Sequence, residues 1–259
     1  MRKLQYQAVI GTVICILALS GCAPGYQPLT STTTVSTFDV SAPSGWSIIF
    51  QSAQKGQSLT MYKVETSVDL IQGSLHTNFT EYGAINPPDR ASLDYHAVNS
   101  NVQFYQQGLV AYSFDDGFWT QTNTIPNLNV FPSYEELAQQ GMRSGWSISS
   151  SKKPIYVQDE YCIVYQAIIP ANSMNPLPTA GIASNDAAQS GMSGDLQVKF
   201  FVGKIDGQLR EVQTVSLGGV DNVGSIQVTT DTTLFDLDKK TAKVQVPLTL
   251  TKQLENLPS

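Results

Sequence analysis

The chain has 259 residues, of which 41% are hydrophobic and only 14% charged, with a formal net charge of −6 and a pI of about 4.8. That length suits one domain with a sizeable core, and the scarcity of charge excludes a charge-driven disordered chain or a coiled coil. The acidic balance excludes nucleic acid as a partner, because phosphates require a basic face.

Arg2 and Lys3 precede a run of 12 mainly apolar residues, 8–19. This is the basic and hydrophobic pattern of a signal peptide, too short to span a bilayer as a helix. It ends in Leu19-Ser20-Gly21-Cys22, which resembles the bacterial lipobox. The resemblance implies cleavage before Cys22 and acylation of its thiol, with small residues at Ser20 and Gly21 giving the peptidase access. Two or more acyl chains anchor stably, since each buried CH₂ adds about 0.8 kcal/mol. Residues 1–21 are therefore expected to be a lipoprotein signal peptide. The mature protein is expected on the extracytoplasmic side of the cell membrane, lipid-anchored through Cys22.

Residues 22–45, rich in Ser, Thr and Pro, read as a flexible tether. A domain over 46–251 follows, with 252–259 as a tail. Trp46, Ile49, Phe50 and Ala53 fall on one helical face, predicting a helix over 46–55 that Gly56 stops. Tyr62, Val64, Thr66, Val68 and Leu70 then alternate with polar residues as a half-buried strand does, and Leu75, Thr77 and Phe79 continue beyond Gly73. Extended structure resumes over 91–98 and 102–114, with Gly108 as a turn or bulge, and Asp116-Gly117 predicts a tight hairpin into Phe118-Trp119.

A second helix is expected over 133–140, capped by Ser133 and closed by Gly141. Strands follow at about 145–150, 155–159 and 161–169, the last apolar on both faces and so central. Residues 170–194, rich in Pro and Gly, read as an insertion or lid. Asp206-Gly207 joins strands at 196–202 and 209–217; two more, at 223–230 and 242–250, finish the domain, the last an edge strand because it contains Pro247. No strand–helix–strand rhythm appears, which excludes a parallel doubly wound sheet.

The residues offer little chemistry. His76 and His96 have no acidic or cysteine partner at ligand spacing, and Cys162 sits in an apolar run as a small hydrophobe would. Asp115-Asp116 and Asp236-Leu237-Asp238 read as turns rather than calcium loops, and Glu135-Glu136 suits a helix start. No catalytic residues, metal or cofactor are expected, and the chain is read as a non-enzyme.

The order of elements, with Tyr112, Asp116, Gly117 and Trp119, then 161–169, then Asp206-Gly207, resembles the half-barrel bacterial lipoproteins of the LppX/LprG type and the LolA-like fold. It is also similar to a group of Gram-positive lipoproteins. The sequence pattern counts about ten antiparallel strands and two short helices, and the resemblance implies that they form an α+β, mainly β fold: a curved antiparallel sheet with the helices on one side. It also implies a hydrophobic ligand, such as an acyl chain, in a half-barrel cavity; the insertion at 170–194, where this chain departs from the family pattern, is expected to gate it. The candidate lining residues are Tyr62, Phe79, Phe104, Tyr112, Phe114 and Trp119. The alternative is an envelope module that binds a protein or wall polymer through exposed aromatic residues over a solid interior.

Overall fold

The computed structural model describes residues 38–40, 44–98, 100–125, 128–170, 194–220 and 224–255. The signal peptide, Cys22, the tether before residue 38 and 171–193 of the expected insertion lie outside these residues. Along the chain run β1 (Phe38–Val40), α1 (Ser44–Gln57), β2 (Tyr62–Gln72), β3 (Leu75–Asn86), β4 (Arg90–Ala97), β5 (Ser100–Gln107), β6 (Val110–Asp115) and β7 (Phe118–Thr122). After α2 (Phe131–Ser144) come β8 (Ile148–Ser151), β9 (Ile155–Val157), β10 (Glu160–Ile169), β11 (Leu196–Gly203), β12 (Leu209–Val220), β13 (Gly224–Phe235) and α3 (Leu248–Glu255).

Among the described residues, 13 strands join one curved antiparallel sheet in the spatial order β1-β8-β10-β11-β12-β13-β2-β3-β4-β5-β6-β7, with β9 paired to β10 off this path. The sheet does not close, so β1 and β7 are its edges. The fold class is the expected open half-barrel, with more strands than the sequence pattern showed and a third helix. Among the described residues no helix is long and apolar enough to cross a membrane.

One face of the sheet, the inner face, carries α1 and α2. Trp46, Ile49 and Ala53 of α1 are at most 1% exposed, as their spacing predicts, and they pack with Phe131, Tyr134 and Ala138 of α2 onto Tyr62, Val64, Leu93, Phe104, Phe200 and Val212 of the strands. Each large apolar side chain buried in this way stabilises the fold by about 1.5–3 kcal/mol. The rings pack edge to face: Trp46 on Phe200 at 6.1 Å, Tyr134 on Phe200 at 6.2 Å, and Tyr62 on Phe131 at 5.5 Å.

The helix boundaries differ from the sequence reading. Gly56 and Gly141 were expected to end helices, yet α1 runs on to Gln57 and α2 to Ser144. Both glycines serve packing instead. A Cβ on Gly56 would stand 2.0 Å from the Phe131 ring, and one on Gly141 2.5 Å from the Trp46 ring. The left-handed residue that closes α2 is Gly145, at φ 64°. Ser133 does not cap α2, whose N-cap is Val130; Asn129 Oδ1 accepts from the Phe131 N–H at 3.2 Å.

The largest difference is at the C-terminus. The expected edge strand over 242–250 is a 3-10 turn, Lys240–Ala242, an irregular segment over 243–247 and then α3, which runs past the expected domain end at 251. Pro247 marks a helix start rather than a sheet edge. It stands just before α3, where its missing N–H goes unused and its carbonyl accepts from the Thr251 N–H at 3.0 Å. A smaller difference lies in the expected tether, where Phe38–Val40 pairs with 149–151 of β8.

Candidate functional site

Pairing register decides which face each aromatic residue meets. On β5 and β6, Phe104 pairs with Ser113 while Tyr105 pairs with Tyr112, so Phe104 and Ala111 face inward and Tyr105, Tyr112 and Phe114 face the opposite, outer side. Phe114 pairs with Trp119 of β7, and their rings lie 5.3 Å apart. The outer face here is covered by α3, whose Leu250 is buried against Tyr105 and Trp119, with Tyr112, Phe114 and Val244 packed around them.

Polar bonds hold α3 to the edge strand. The Trp119 N–H donates to Gln253 Oε1 at 2.8 Å and Gln253 Nε2 donates to the Trp119 carbonyl at 2.7 Å, so one side-chain amide occupies both outward backbone groups of that residue. Trp119 Nε1 donates to Thr249 Oγ1 at 2.9 Å. An edge residue that would otherwise offer a free donor and acceptor is thereby covered.

The helix is fixed along its Thr249–Gln253 side and stands off the sheet on the other. Between them is a cleft of about 680 Å³ bounded by Tyr105, Val110, Tyr112, Val246, Leu250 and Leu254, with Gln107, Thr251 and Glu255 at its polar margins. That volume lies within the range of small-molecule sites, about 300–1,000 Å³.

The six expected lining residues do not form one surface. Tyr62 and Phe104 belong to the packed inner core, where burial raises the Tyr62 pKa and its hydroxyl donates to the Leu128 carbonyl at 3.0 Å. Phe79 lies on the inner face at the other end of the strands, its ring 5.9 Å from that of Tyr95. Tyr112, Phe114 and Trp119 come together on the outer face with α3, and of these Tyr112 borders the cleft. Sequence reasoning missed Tyr105, Leu250 and Leu254, because a strand over 242–250 hides the cleft. The available signal was Pro247 followed by Leu250 and Leu254 at i, i+4 spacing.

The other polar candidates are engaged locally. His76 Nε2 lies 3.3 Å from Asp69 Oδ1, and His96 Nδ1 lies 2.9 Å from Asn101 Oδ1. Asp238 Oδ1 accepts from the Thr60 N–H at 2.7 Å, and Asp236 pairs with Lys63 at 3.0 Å, as turn residues that tie β13 to β2. Asp116 and Gly117 have φ of 51° and 86°, the left-handed pair that a tight hairpin needs. Cys162 is buried, and that burial pushes its thiol up to about 12, far from a reactive thiolate. Across β12 and β13, Gln213 Nε2 donates to Glu211 Oε1 at 2.6 Å and to Asp231 Oδ2 at 3.1 Å. Burial and the neighbouring Asp231 hold Glu211 up at about 7, and burial raises Asp231 as well.

No family model and no curated protein sequence matches the chain. Solved structures similar to it include LprF from Mycobacterium bovis, at 12% identity and a TM-score of 0.49, covering 81% of this chain and 98% of that one. A LolA-superfamily protein from Nitrosomonas europaea matches at 8% identity and a TM-score of 0.28, over 77% of this chain and 97% of that one. A putative outer membrane lipoprotein-sorting protein domain from Vibrio parahaemolyticus matches at 9% identity and a TM-score of 0.27, over 80% and 98%.

Proposed function

We propose that the chain is a lipid-anchored envelope protein, not an enzyme, that binds or shields a hydrophobic ligand such as an acyl chain. The observation that carries the reading is the apolar cleft between α3 and the outer face of β5 and β6. The proposed site is therefore on the outer side of the sheet, because the inner face under α1 and α2 is filled by Trp46, Phe131, Tyr134 and Phe200. The lining residues proposed for it are Tyr105, Val110, Tyr112, Val246, Leu250 and Leu254. The anchor rests on the lipobox-like Leu19-Ser20-Gly21-Cys22.

Native mass spectrometry of the mature protein purified without detergent tests the reading. A solvent-extractable mass matching a lipid is expected, and it should be lost when Val110→Arg and Leu254→Arg fill the cleft with charge. A protein that stays free of lipid after incubation with lipid would overturn it. A second reading, an envelope module that binds a protein or polymer, is favoured by the exposed rings of Tyr156 and Tyr161, 5.1 Å apart on β9 and β10. Under that reading Tyr156→Ala with Tyr161→Ala abolishes binding to isolated cell envelopes while the cleft variants retain it.

A further inference from the structure

The cleft adjoins a charged pocket. Arg90 of β4 is the Cα partner of Gln107 of β5, which borders the cleft. Arg90 also lines a second pocket, of about 210 Å³, together with Met61, Asn86, Asp89, Lys243 and Val244. No residue lines both spaces, but their linings are neighbours at two places: across the Arg90–Gln107 pair on the sheet, and along the segment before α3, where Val244 lines the pocket and Val246 the cleft. Asn86 fixes that segment, its Oδ1 accepting from the Val244 N–H while its Nδ2 donates to the Thr60 carbonyl at 3.1 Å. Burial raises the pKa of the Tyr105 hydroxyl, and the Arg90 charge pulls it the other way.

The charge here runs against that of the whole chain. With a net −6 overall, the pocket holds two cations to one carboxylate, Asp89. Among the described residues neither Arg90 nor Lys243 is in an ion pair. The carboxylate bordering the cleft, Glu255, is at the end of α3 away from the segment that carries Lys243, about 10 Å along the helix from its first residue. Two cations, Arg90 and Lys243, therefore stand at the pocket end, whereas at the other end Glu255 has Lys252 in the same last turn of α3.

We propose, building on the hydrophobic-ligand reading, that this pocket is the head-group end of the cleft and that the ligand is an anionic amphiphile, a single acyl chain ended by an acidic group. The tail lies between α3 and the Tyr105–Tyr112 face, and the head meets Arg90 and Lys243, away from Glu255. The polar pocket supplies what the cleft alone lacks, a preference among lipids by charge.

The test is a titration of the mature protein with oleate, with monoolein, which carries the same chain on a neutral head, and with acetate, which is a head without a tail. Oleate should bind about tenfold or more tightly than monoolein, as charge-assisted contacts imply, and the margin should shrink as salt rises. Arg90→Ala with Lys243→Ala should bring oleate to the monoolein level and leave monoolein within about twofold, while Arg90→Lys with Lys243→Arg keeps the preference. Both side chains are exposed, so the variants are expected to fold, and an unchanged melting temperature checks this. Equal affinities in the parent protein, or a preference that survives the double alanine variant, would overturn the proposal and leave the hydrophobic-ligand reading standing. Acetate competing as well as oleate would show a free-anion site and overturn it too. Absence of binding by both lipids would defeat the broader reading and this one with it.

Discussion

Strands β5 and β6 send neighbouring residues into two different environments. Phe104 and Ala111, on the inner face, are 3% and 0% exposed within the core to which α1 and α2 contribute, whereas Tyr112, the next residue after Ala111, borders an open cleft beneath α3. The difference is in how the covering helices are attached. The two inner helices meet through glycines and interlocked rings, leaving a Cβ no room at Gly56 or Gly141. The outer helix is short, buries Leu250, and is held along one side by the Gln253 and Thr249 bonds to Trp119. Close packing fixes a structure, and one-sided attachment leaves space for a ligand.

Variants can break this contrast, and the largest effect is expected inside. Phe104→Ala should cost about 3–5 kcal/mol by denaturant unfolding; a loss as small as that of Tyr112→Ala would mean the two faces are equally loose. Gly141→Val, driven into Trp46, should cost about 1–3 kcal/mol, and an unchanged midpoint would show that the helix crossing has slack. Gln253→Ala should cost about 1 kcal/mol, the worth of the Trp119 backbone bonds, and should speed hydrogen exchange in β7 and α3 while leaving α1 and α2 protected.

The pH dependence separates the faces differently, since Glu211 and Asp231 are on the outer side of β12 and β13, with Glu65 beside Asp231 and Lys199 beside Glu211. Glu211 titrates near 7 in the folded protein against an ordinary 4.5, so the folded state holds this proton more tightly. Its contribution to stability is complete below about 4.5 and is lost as the pH rises through about 7. The melting temperature is thus expected to be higher at pH 5 than at pH 8, and Glu211→Gln should narrow that gap; a gap unchanged by the substitution would refute the assignment. The smallest effect on stability is expected for Leu254→Arg, within about 0.5 kcal/mol, with loss of acyl-probe binding as its readout.

Much of the fold was legible because strand alternation and turn chemistry are local. Tyr62, Val64 and Val68 face inward as their period predicts, and Asp116-Gly117 turns the β6–β7 hairpin. The site was not legible, for two reasons. Val244, Val246, Leu248 and Leu250 alternate like a strand, yet the first two lie in an irregular segment and the last two in α3, and the outward groups of Trp119 gain their partners from Gln253, 134 residues away. Aromatic residues on successive strands were grouped as one lining, but alternation within a strand is silent on which face is filled and which is covered loosely.

The sequence by itself determined the periodicities, the hairpin turns, the helix faces and the lipobox-like start, because each depends on residues a few positions apart. Only the tertiary structure decided that Gly56 and Gly141 are packing residues, that α3 covers an edge strand, and that Arg90 and Lys243 share a pocket beside an apolar cleft. Those outcomes depend on which distant segments meet, and that is settled by long-range strand order and by the space left after the inner core has packed.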